Sequence, residues 1–286
     1  MSRLLILGGD GMLGHQLLKS LRPRHETRVT LRGALESYAD CGLFDAGNAF
    51  DRLPSDDLER LGELLARFRP DVIVNAIGVV KQREAAHDPI ESLEVNSLFP
   101  HRLARLARRA GARLIHFSTD CVFSGRRGLY AESDPPDAED LYGRSKLLGE
   151  LSGAGCLTLR TSIIGRELRR RLSLVEWFLA QRGTVHGYRR AIYSGFTTLE
   201  MARILERIIS GDPAASGLWH VASEPISKYA LLLLLKRYYR LGTEVEPDET
   251  FVCDRSLDSR RFRAEFRYTP PGWEQMIAEL AEERPA

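Results

Sequence analysis

The stretch Arg3-Leu4-Leu5-Ile6-Leu7-Gly8-Gly9-Asp10-Gly11-Met12-Leu13-Gly14 decides the fold. Arg3 to Leu7 reads as a short apolar run, the mark of a strand buried on both faces. It flows directly into a glycine turn, after which Leu13, Leu17, Leu18 and Leu21 recur at helical spacing. A strand, a glycine turn and a helix in that order form the context that a dinucleotide-binding fingerprint requires. Gly8, Gly11 and Gly14 give the spacing G-x-x-G-x-x-G. Such glycines serve a tight turn, close approach of the backbone to a pyrophosphate, and contact between helix and strand, with the anion at the helix N-terminus.

Outward from this turn, the second strand is expected over Thr27 to Leu31, ending in Arg32. An acidic residue there would accept hydrogen bonds from a ribose 2′-hydroxyl and favour NAD. Arginine suits a 2′-phosphate and points to NADPH, unless Arg32 is simply a surface residue. Leu43-Phe44-Asp45-Ala46 reads as a third strand and its exit, where Asp45 either accepts from the adenine amino group or caps a turn. Leu58, Leu61, Leu64, Leu65 and Phe68 make a helical stripe suited to core packing. Asp71 to Asn75 is another buried strand, followed by Ala76-Ile77-Gly78, small enough for a flat ring to pass close to the backbone. A helix follows around Ser92 to Arg109, with Leu93, Leu103 and Leu106 inside and Asn96 either bonding backbone or joining a proton path.

Arg113 to Phe117 is the fifth strand, and Ser118-Thr119-Asp120 stands at its carboxyl end, where open α/β sheets bind ligands. Thr119 is therefore placed to hydrogen-bond a substrate oxygen. The Gly-, Pro- and acid-rich loop from Gly125 to Asp140 fits a loop over a site. Tyr142 and Lys146 then lie one helical turn apart on one face. A free tyrosine titrates near pH ~10, and a neighbouring ammonium lowers that value, which turns the phenol into a usable acid or base. A sixth strand is expected at Cys156 to Thr161.

Alternating strands and helices up to about residue 165 predict a doubly wound (Rossmann) parallel α/β sheet over residues 1–165. Residues 166–286 are expected to form mainly a smaller α/β substrate-binding annex. There, Thr197-x-x-Glu200 reads as a capping box opening a helix through Ile209. Gly217 to Ala222 reads as a strand, with helices at Ile226 to Tyr239 and Trp273 to Leu280.

Composition narrows the function classes. The 286 residues are 43% hydrophobic and 28% charged, ordinary for a globular protein. The net charge of +2 leaves no nucleic-acid footprint. Cys41, Cys121, Cys156 and Cys253 contain no C-x-x-C, so neither a zinc site nor a disulfide framework is expected, and no metal is assigned. With no signal peptide and no apolar run of membrane length, a cytoplasmic, reduced protein with no membrane or nucleic-acid partner is expected.

Assembled, these pieces resemble the extended short-chain dehydrogenase/reductases, and among them the dTDP-4-dehydrorhamnose reductase family. The resemblance rests on Gly8-x-x-Gly11-x-x-Gly14, Asn75-Ala76, Ser118-Thr119-Asp120-x-Val122-Phe123 with Gly125, Tyr130-x-Glu132, and Tyr142-Gly143-x-Ser145-Lys146-Leu147-x-Gly149-Glu150. Gly217-Leu218-Trp219-His220 and Pro271-Gly272-Trp273 extend it into the C-terminal half. It implies a Thr119, Tyr142 and Lys146 triad. Tyr142 would give a proton to a sugar C4 carbonyl, Lys146 would hold the nicotinamide ribose and lower the phenol's pKa, and Thr119 would orient the carbonyl.

The candidate cofactor set is Gly8, Asp10, Gly11, Met12, Leu13, Arg32, Asp45, Ala46, Ala76, Ile77, Gly78, Asn96, Tyr142 and Lys146, for NADPH or else NAD. The candidate sugar set is Thr119, Asp120, Tyr142 and Ile163. The implied partner is a nucleotide-linked 4-keto-6-deoxyhexose, with a homodimer as the implied assembly. Cys121 stands where the family usually has tyrosine, Ile163 where tryptophan is common, and Val79-Val80-Lys81-Gln82 replaces a small polar run. The sugar can therefore differ, and a UDP- or GDP-linked relative fits equally. Arg189, Arg190, Arg260, Arg261 and the run Arg169 to Arg171 are either diphosphate ligands or a solvated surface. Two rivals remain: a non-catalytic NADP-binding regulatory subunit, like that of methionine adenosyltransferase, and a nucleotide-sugar epimerase on the same scaffold.

Overall fold

The computed structural model describes residues 1–79, 88–169, 171–211 and 214–283. Val80, Lys81, Gln82 and Arg170 lie outside the described residues. The central sheet is built from β1 (Arg3–Leu7), β2 (Glu26–Thr30), β3 (Ala49–Phe50), β4 (Val72–Asn75), β5 (Arg113–Phe117), β6 (Cys156–Arg160) and a last strand, Gly217–His220. These seven run in the order Gly217–His220, β6, β5, β4, β1, β2, β3. Every pairing is parallel. The order reverses between β1 and β4, so the crevice beyond their carboxyl ends is the expected ligand position. In register, Leu7 pairs with both Thr30 and Asn75, which sets Gly8 beside Ala76 at the mouth of that crevice.

The apolar run of β1 serves both faces because strand side chains alternate. Leu4 and Ile6 join one core with α1 (Met12–Leu21) and the helix Thr198–Ser210. Leu5 and Leu7 join the other, with α2 (Leu58–Phe68). The same second core takes in Phe99, Leu103 and Ala107 of a longer helical run. That run starts as α3 (Pro89–Ser92), passes through a π-helical turn (Leu93–Leu98) and continues as α4 (Phe99–Ala110). The helix α5 (Leu141–Leu148) follows the loop after β5.

Four expectations need correction. The third strand is not at Leu43–Ala46 but at Ala49–Phe50. Asp45 instead closes a turn, its carboxylate accepting from the Gly47 and Asn48 amides at 2.7 and 3.0 Å. Leu93 is 39% exposed rather than inside, because the π-turn adds a residue and rotates it off the apolar face. The strand Gly217–His220 does not belong to an annex; it pairs with β6 and completes the main sheet. The segment expected to be helical from Ile226 begins instead with a strand, Ile226–Ser227, and its helix starts at Lys228.

Thr197 does cap its helix, accepting from the Glu200 amide at 3.3 Å. The Glu200 carboxylate turns away to Tyr268 and Arg203. Outside the main sheet, Ala191–Tyr193 lies between Ile226–Ser227 and Cys253–Asp254 in a small sheet. This sheet carries residues 193 and 228 towards the crevice.

Candidate active site

At the glycine turn, Gly8 has φ +85°, in the left-handed region that favours glycine. Gly14 permits the helix to touch the strand: a Cβ there would stand 2.0 Å from the Gly8 carbonyl oxygen. Gly11 occupies the N-cap of α1 with no side-chain cap, and the first turn holds no acidic residue. The Gly11 amide turns back to the Gly8 carbonyl at 3.0 Å, which leaves the first-turn amides of α1 and the positive end of the helix dipole facing the cleft for an anion. A cradle that a Cβ would fill, and a helix N-terminus with no side-chain cap, fit the pyrophosphate of a dinucleotide.

From this cradle one cavity extends over Asp10, Thr30, Arg32 and Tyr38. Arg32 is exposed and has no ion-pair or hydrogen-bond partner among the described residues. The Tyr38 hydroxyl donates to Asp10 at 3.1 Å and so ties the turn to the wall after β2. Arg169 stacks its guanidinium 4.6 Å over the Tyr38 ring and bonds Asp40 and the Ser37 carbonyl. Arg169 thus stands at the Arg32 end of the cleft. Asp45 and Ala46 line neither this cavity nor its neighbour. Leu53, Pro54 and Ser55 take that position.

The second cavity shares Gly11, Met12, Ala76–Val79 and Glu167 with the first, and adds Thr119, Tyr142 and Lys146. The triad suggested by the resemblance thus converges in one cleft with Gly11–Leu13 and Ala76–Gly78. Local chemistry sets each member. Thr119 follows β5; its hydroxyl accepts from the Cys121 amide at 3.1 Å and donates to Asp120 at 3.3 Å. Asp140 caps α5 by accepting from the Gly143 amide at 2.7 Å. Gly143 lets α5 press against the Thr119 turn, since a Cβ there would lie 2.2 Å from the Cys121 carbonyl. Gly149 does the same against the π-turn, 1.9 Å from the Asn96 carbonyl.

Asn96 is 1% exposed. It accepts from the Val79 amide at 3.0 Å, donates to the Val79 carbonyl at 3.1 Å, and reaches the Ser145 hydroxyl at 3.2 Å. In this structure it clamps the Ala76–Val79 wall to α5.

The electrostatics depart from the simple Tyr–Lys picture. Burial pushes the Tyr142 phenol well above its ordinary value, with the neighbouring Cys121 adding to it and the Thr119 hydroxyl opposing it. Lys146 does not outweigh that burial, and its Nζ donates to the Phe117 carbonyl at 2.6 Å. Burial pushes Lys146 itself down to about 8, against the pull of Glu150. The resting phenol is therefore protonated, the form a proton donor needs.

On the sugar side, Asp120 is buried and Ile163 lines the cleft. Burial raises the Asp120 carboxyl, chiefly opposed by Arg255. Burial likewise pushes the Cys121 thiol up to about 12. Arg255 backs Cys121, donating to its Sγ at 3.5 Å and to the Phe123 carbonyl at 2.8 Å. Behind the triad, Glu150 accepts from Ser118 at 2.6 Å and from Arg160 at 2.7 and 2.8 Å, which fixes the ends of β5 and β6.

Arg171, Arg189, Arg190, Arg260 and Arg261 line neither cavity. Arg260 pairs with Asp258, and Arg261 stacks 3.8 Å over Trp219. Sequence reasoning missed Tyr38, Glu167, Tyr193 and Lys228, all of which line the cleft. None sits in a periodic or glycine-rich pattern that would have marked it.

Comparison with known proteins bears on the family and the fold. The chain is 28% identical over 235 residues to a dTDP-4-dehydrorhamnose reductase of Aggregatibacter actinomycetemcomitans, covering 79% of this chain and 74% of that protein. It is 30% identical over 237 residues to a probable low-salt glycan biosynthesis reductase, Agl14, of Haloferax volcanii, covering 77% and 74%. The crystal structure of a dTDP-4-dehydrorhamnose reductase from Bacillus anthracis with NADP superposes with a TM-score of 0.79 over 98% of each chain at 20% identity, a likeness of fold. The family model described as the RmlD substrate binding domain matches residues 2–284, and the chain belongs to that family.

Proposed function

We propose that this protein reduces the C4 carbonyl of a nucleotide-linked 4-keto-6-deoxyhexose with NADPH, with NADH as the weaker alternative, for deoxysugar and polysaccharide biosynthesis. The observation that carries the reading is the meeting of Thr119, Tyr142 and Lys146 in the cleft that opens from the glycine cradle. When bound, the dinucleotide supplies a hydride. Gly11, Met12 and Leu13 would hold its pyrophosphate on the uncapped end of α1, and Arg32 a 2′-phosphate.

When the sugar binds, the Thr119 hydroxyl turns its one proton from Asp120 to the carbonyl oxygen and holds it against Tyr142. As two electrons and a hydrogen arrive at carbon, negative charge grows on that oxygen, and Tyr142 gives it the phenolic proton. The ketone becomes a secondary alcohol and the phenolate recovers its proton from solvent. Lys146, which lines the same cleft, would stabilise the phenolate while it lasts.

A panel of dTDP-, UDP- and GDP-linked 4-keto-6-deoxy sugars, followed by NADPH absorbance, tests the reading. Stoichiometric NADPH oxidation with one member supports it. Tight NADPH binding with no turnover on any member would point to a regulatory subunit, and interconversion of 4-epimers without net oxidation to an epimerase. The same reading places the reaction in the cytoplasm. It also takes a homodimer as the assembly, which sedimentation of the purified protein checks.

A further inference from the structure

The wall facing Thr119 and Asp120 comes from the C-terminal half, and two of its side chains lack a hydrogen-bond partner. Tyr193 is 4% exposed and lines the cleft, yet its hydroxyl makes no hydrogen bond among the described residues. Ser162 lies close by and eases the phenol's ionisation a little, but no hydrogen bond joins the two side chains. Lys228, also in the lining, carries its ammonium 4.2 Å over the Tyr193 ring. It forms no ion pair and no hydrogen bond among the described residues. Asp120 is 6% exposed, and its charge acts on Lys228 across the cleft.

The pair is held in place by the fold. Ile226 pairs with Tyr193 in the small sheet, so Lys228 emerges beside that ring. Ser227 caps the helix Lys228–Tyr238 by accepting from the Ala230 amide at 3.1 Å, which fixes the lysine on the first turn. Gly195 makes room for the phenol, since a Cβ there would stand 2.2 Å from the Tyr193 hydroxyl. The ring face in turn aligns the ammonium.

Donor and acceptor capacity then selects the ligand. An ammonium and a phenol offer protons, whereas a carboxylate only accepts. A buried donor without an acceptor is costly, so the Tyr193 hydroxyl calls for a ligand oxygen, and the half-buried Lys228 ammonium beside it offers that oxygen a charged donor. A phosphate or carboxylate at this spot would satisfy Lys228 but face the Asp120 carboxylate. A ligand ammonium would suit Asp120 but face Lys228. A hydroxyl suits both, accepting from Lys228 while donating to Asp120.

We propose that Lys228, Tyr193 and Asp120 form a hydroxyl-reading subsite that grips the sugar beside its reacting carbonyl and so decides which sugar is accepted. The assignment rests on the reductase reading above and adds Lys228 and Tyr193 as specificity-determining residues. Neither gives the reacting oxygen its proton.

The test uses the NADP⁺ complex and the substrate found with the panel. Calorimetry compares the reduced nucleotide sugar with its nucleoside diphosphate, which keeps base and phosphates but has no sugar. Lys228→Met should weaken the nucleotide sugar about 10- to 100-fold, as for a lost charged hydrogen bond, and Tyr193→Phe about 3- to 10-fold. Neither should change affinity for the nucleoside diphosphate. Equal weakening of both ligands would place Lys228 on the diphosphate and overturn the assignment, as would no change in either.

Tyr193→Phe keeps the ring and drops only the hydroxyl, so it decides the matter alone should Lys228→Met fail to fold. Wild-type protein that oxidises NADPH with no member of the panel ends the functional reading, and this subsite with it. Wild-type turnover together with variants that do not discriminate ends only the subsite.

Discussion

Tyr142 and Lys146 share a face of α5, but their surroundings act on them differently. The phenol is held protonated by burial, while the amine is pinned to the Phe117 carbonyl and pushed down to about 8. Tyr142→Phe removes the proton donor and leaves the cradle untouched. It should lower kcat by about 10²- to 10⁴-fold, the usual worth of a positioned acid, with NADPH affinity near wild type. Steady-state kinetics beside a fluorescence titration would read both quantities.

The lysine makes a stability prediction whose sign follows from linkage. Its folded pKa of about 8 lies below the ordinary 10.5, so between those values the unfolded chain binds more protons and stability rises with pH. Below pH 8 the folded protein bears the full cost of burying the cation, on the order of 3 kcal/mol. Against Lys146→Met, the wild type should therefore gain roughly 2–3 kcal/mol between pH 7 and 10 in denaturant melts. A pH-independent difference would contradict the buried, downshifted amine. The one-turn spacing of this pair was legible from the sequence. The commitment of Nζ to a β5 carbonyl was not, because it depends on how α5 seats against the sheet.

At the level of elements, the junction of β1 and α1 shows why the glycine spacing was readable. Each glycine there answers a contact made within a few residues, so local sequence contains the whole requirement. Gly14→Ala would put a Cβ 2.0 Å from the Gly8 carbonyl and force helix and strand apart. A loss of about 1–3 kcal/mol is expected, as for other overpacked contacts, with NADPH affinity falling at least tenfold. Thermal melts with and without NADPH check both; a variant binding NADPH as tightly as wild type would contradict the cradle.

Where elements were misplaced, a local interaction had overridden an apolar pattern. Leu43-Phe44 carried the apolar signal of a strand, but Asp45 draws the chain into a turn by accepting two amides. Leu93 fell out of phase because the π-turn that holds Asn96 breaks the 3.6-residue repeat. Such turns recur at functional sites. Here the irregularity aims Asn96 at the Val79 backbone.

Across the whole molecule, the two ends of the chain build one body. The helix Thr198–Ser210 packs its apolar face in the same core as α1, and Gly217–His220 completes the sheet. The expected annex contributes the small sheets and the wall with Tyr193 and Lys228, while its strand at residue 217 belongs to the main sheet. That pairing joins segments far apart in the chain, which no local pattern announces. The first half supplies Arg32 and the second Arg169 at one end of the cleft. Arg32→Asp should lower the ratio of kcat/KM for NADPH over NADH by about 10- to 100-fold, the worth of a charged hydrogen bond to the 2′-phosphate. An unchanged ratio would remove Arg32 from cofactor recognition. Among the described residues no helix is long and apolar enough to cross a membrane.

The most direct measurement follows the hydrogen itself. The protein is incubated with NADPH deuterated on the transferred face of the nicotinamide and with the 4-keto sugar nucleotide selected by the panel, and the product sugar is examined by NMR. The account predicts one deuterium, on sugar C4, for each NADPH oxidised, and its near absence with Tyr142→Phe over the same interval. Deuterium found elsewhere on the sugar, or retained on the cofactor while the sugar is merely epimerised, would contradict it.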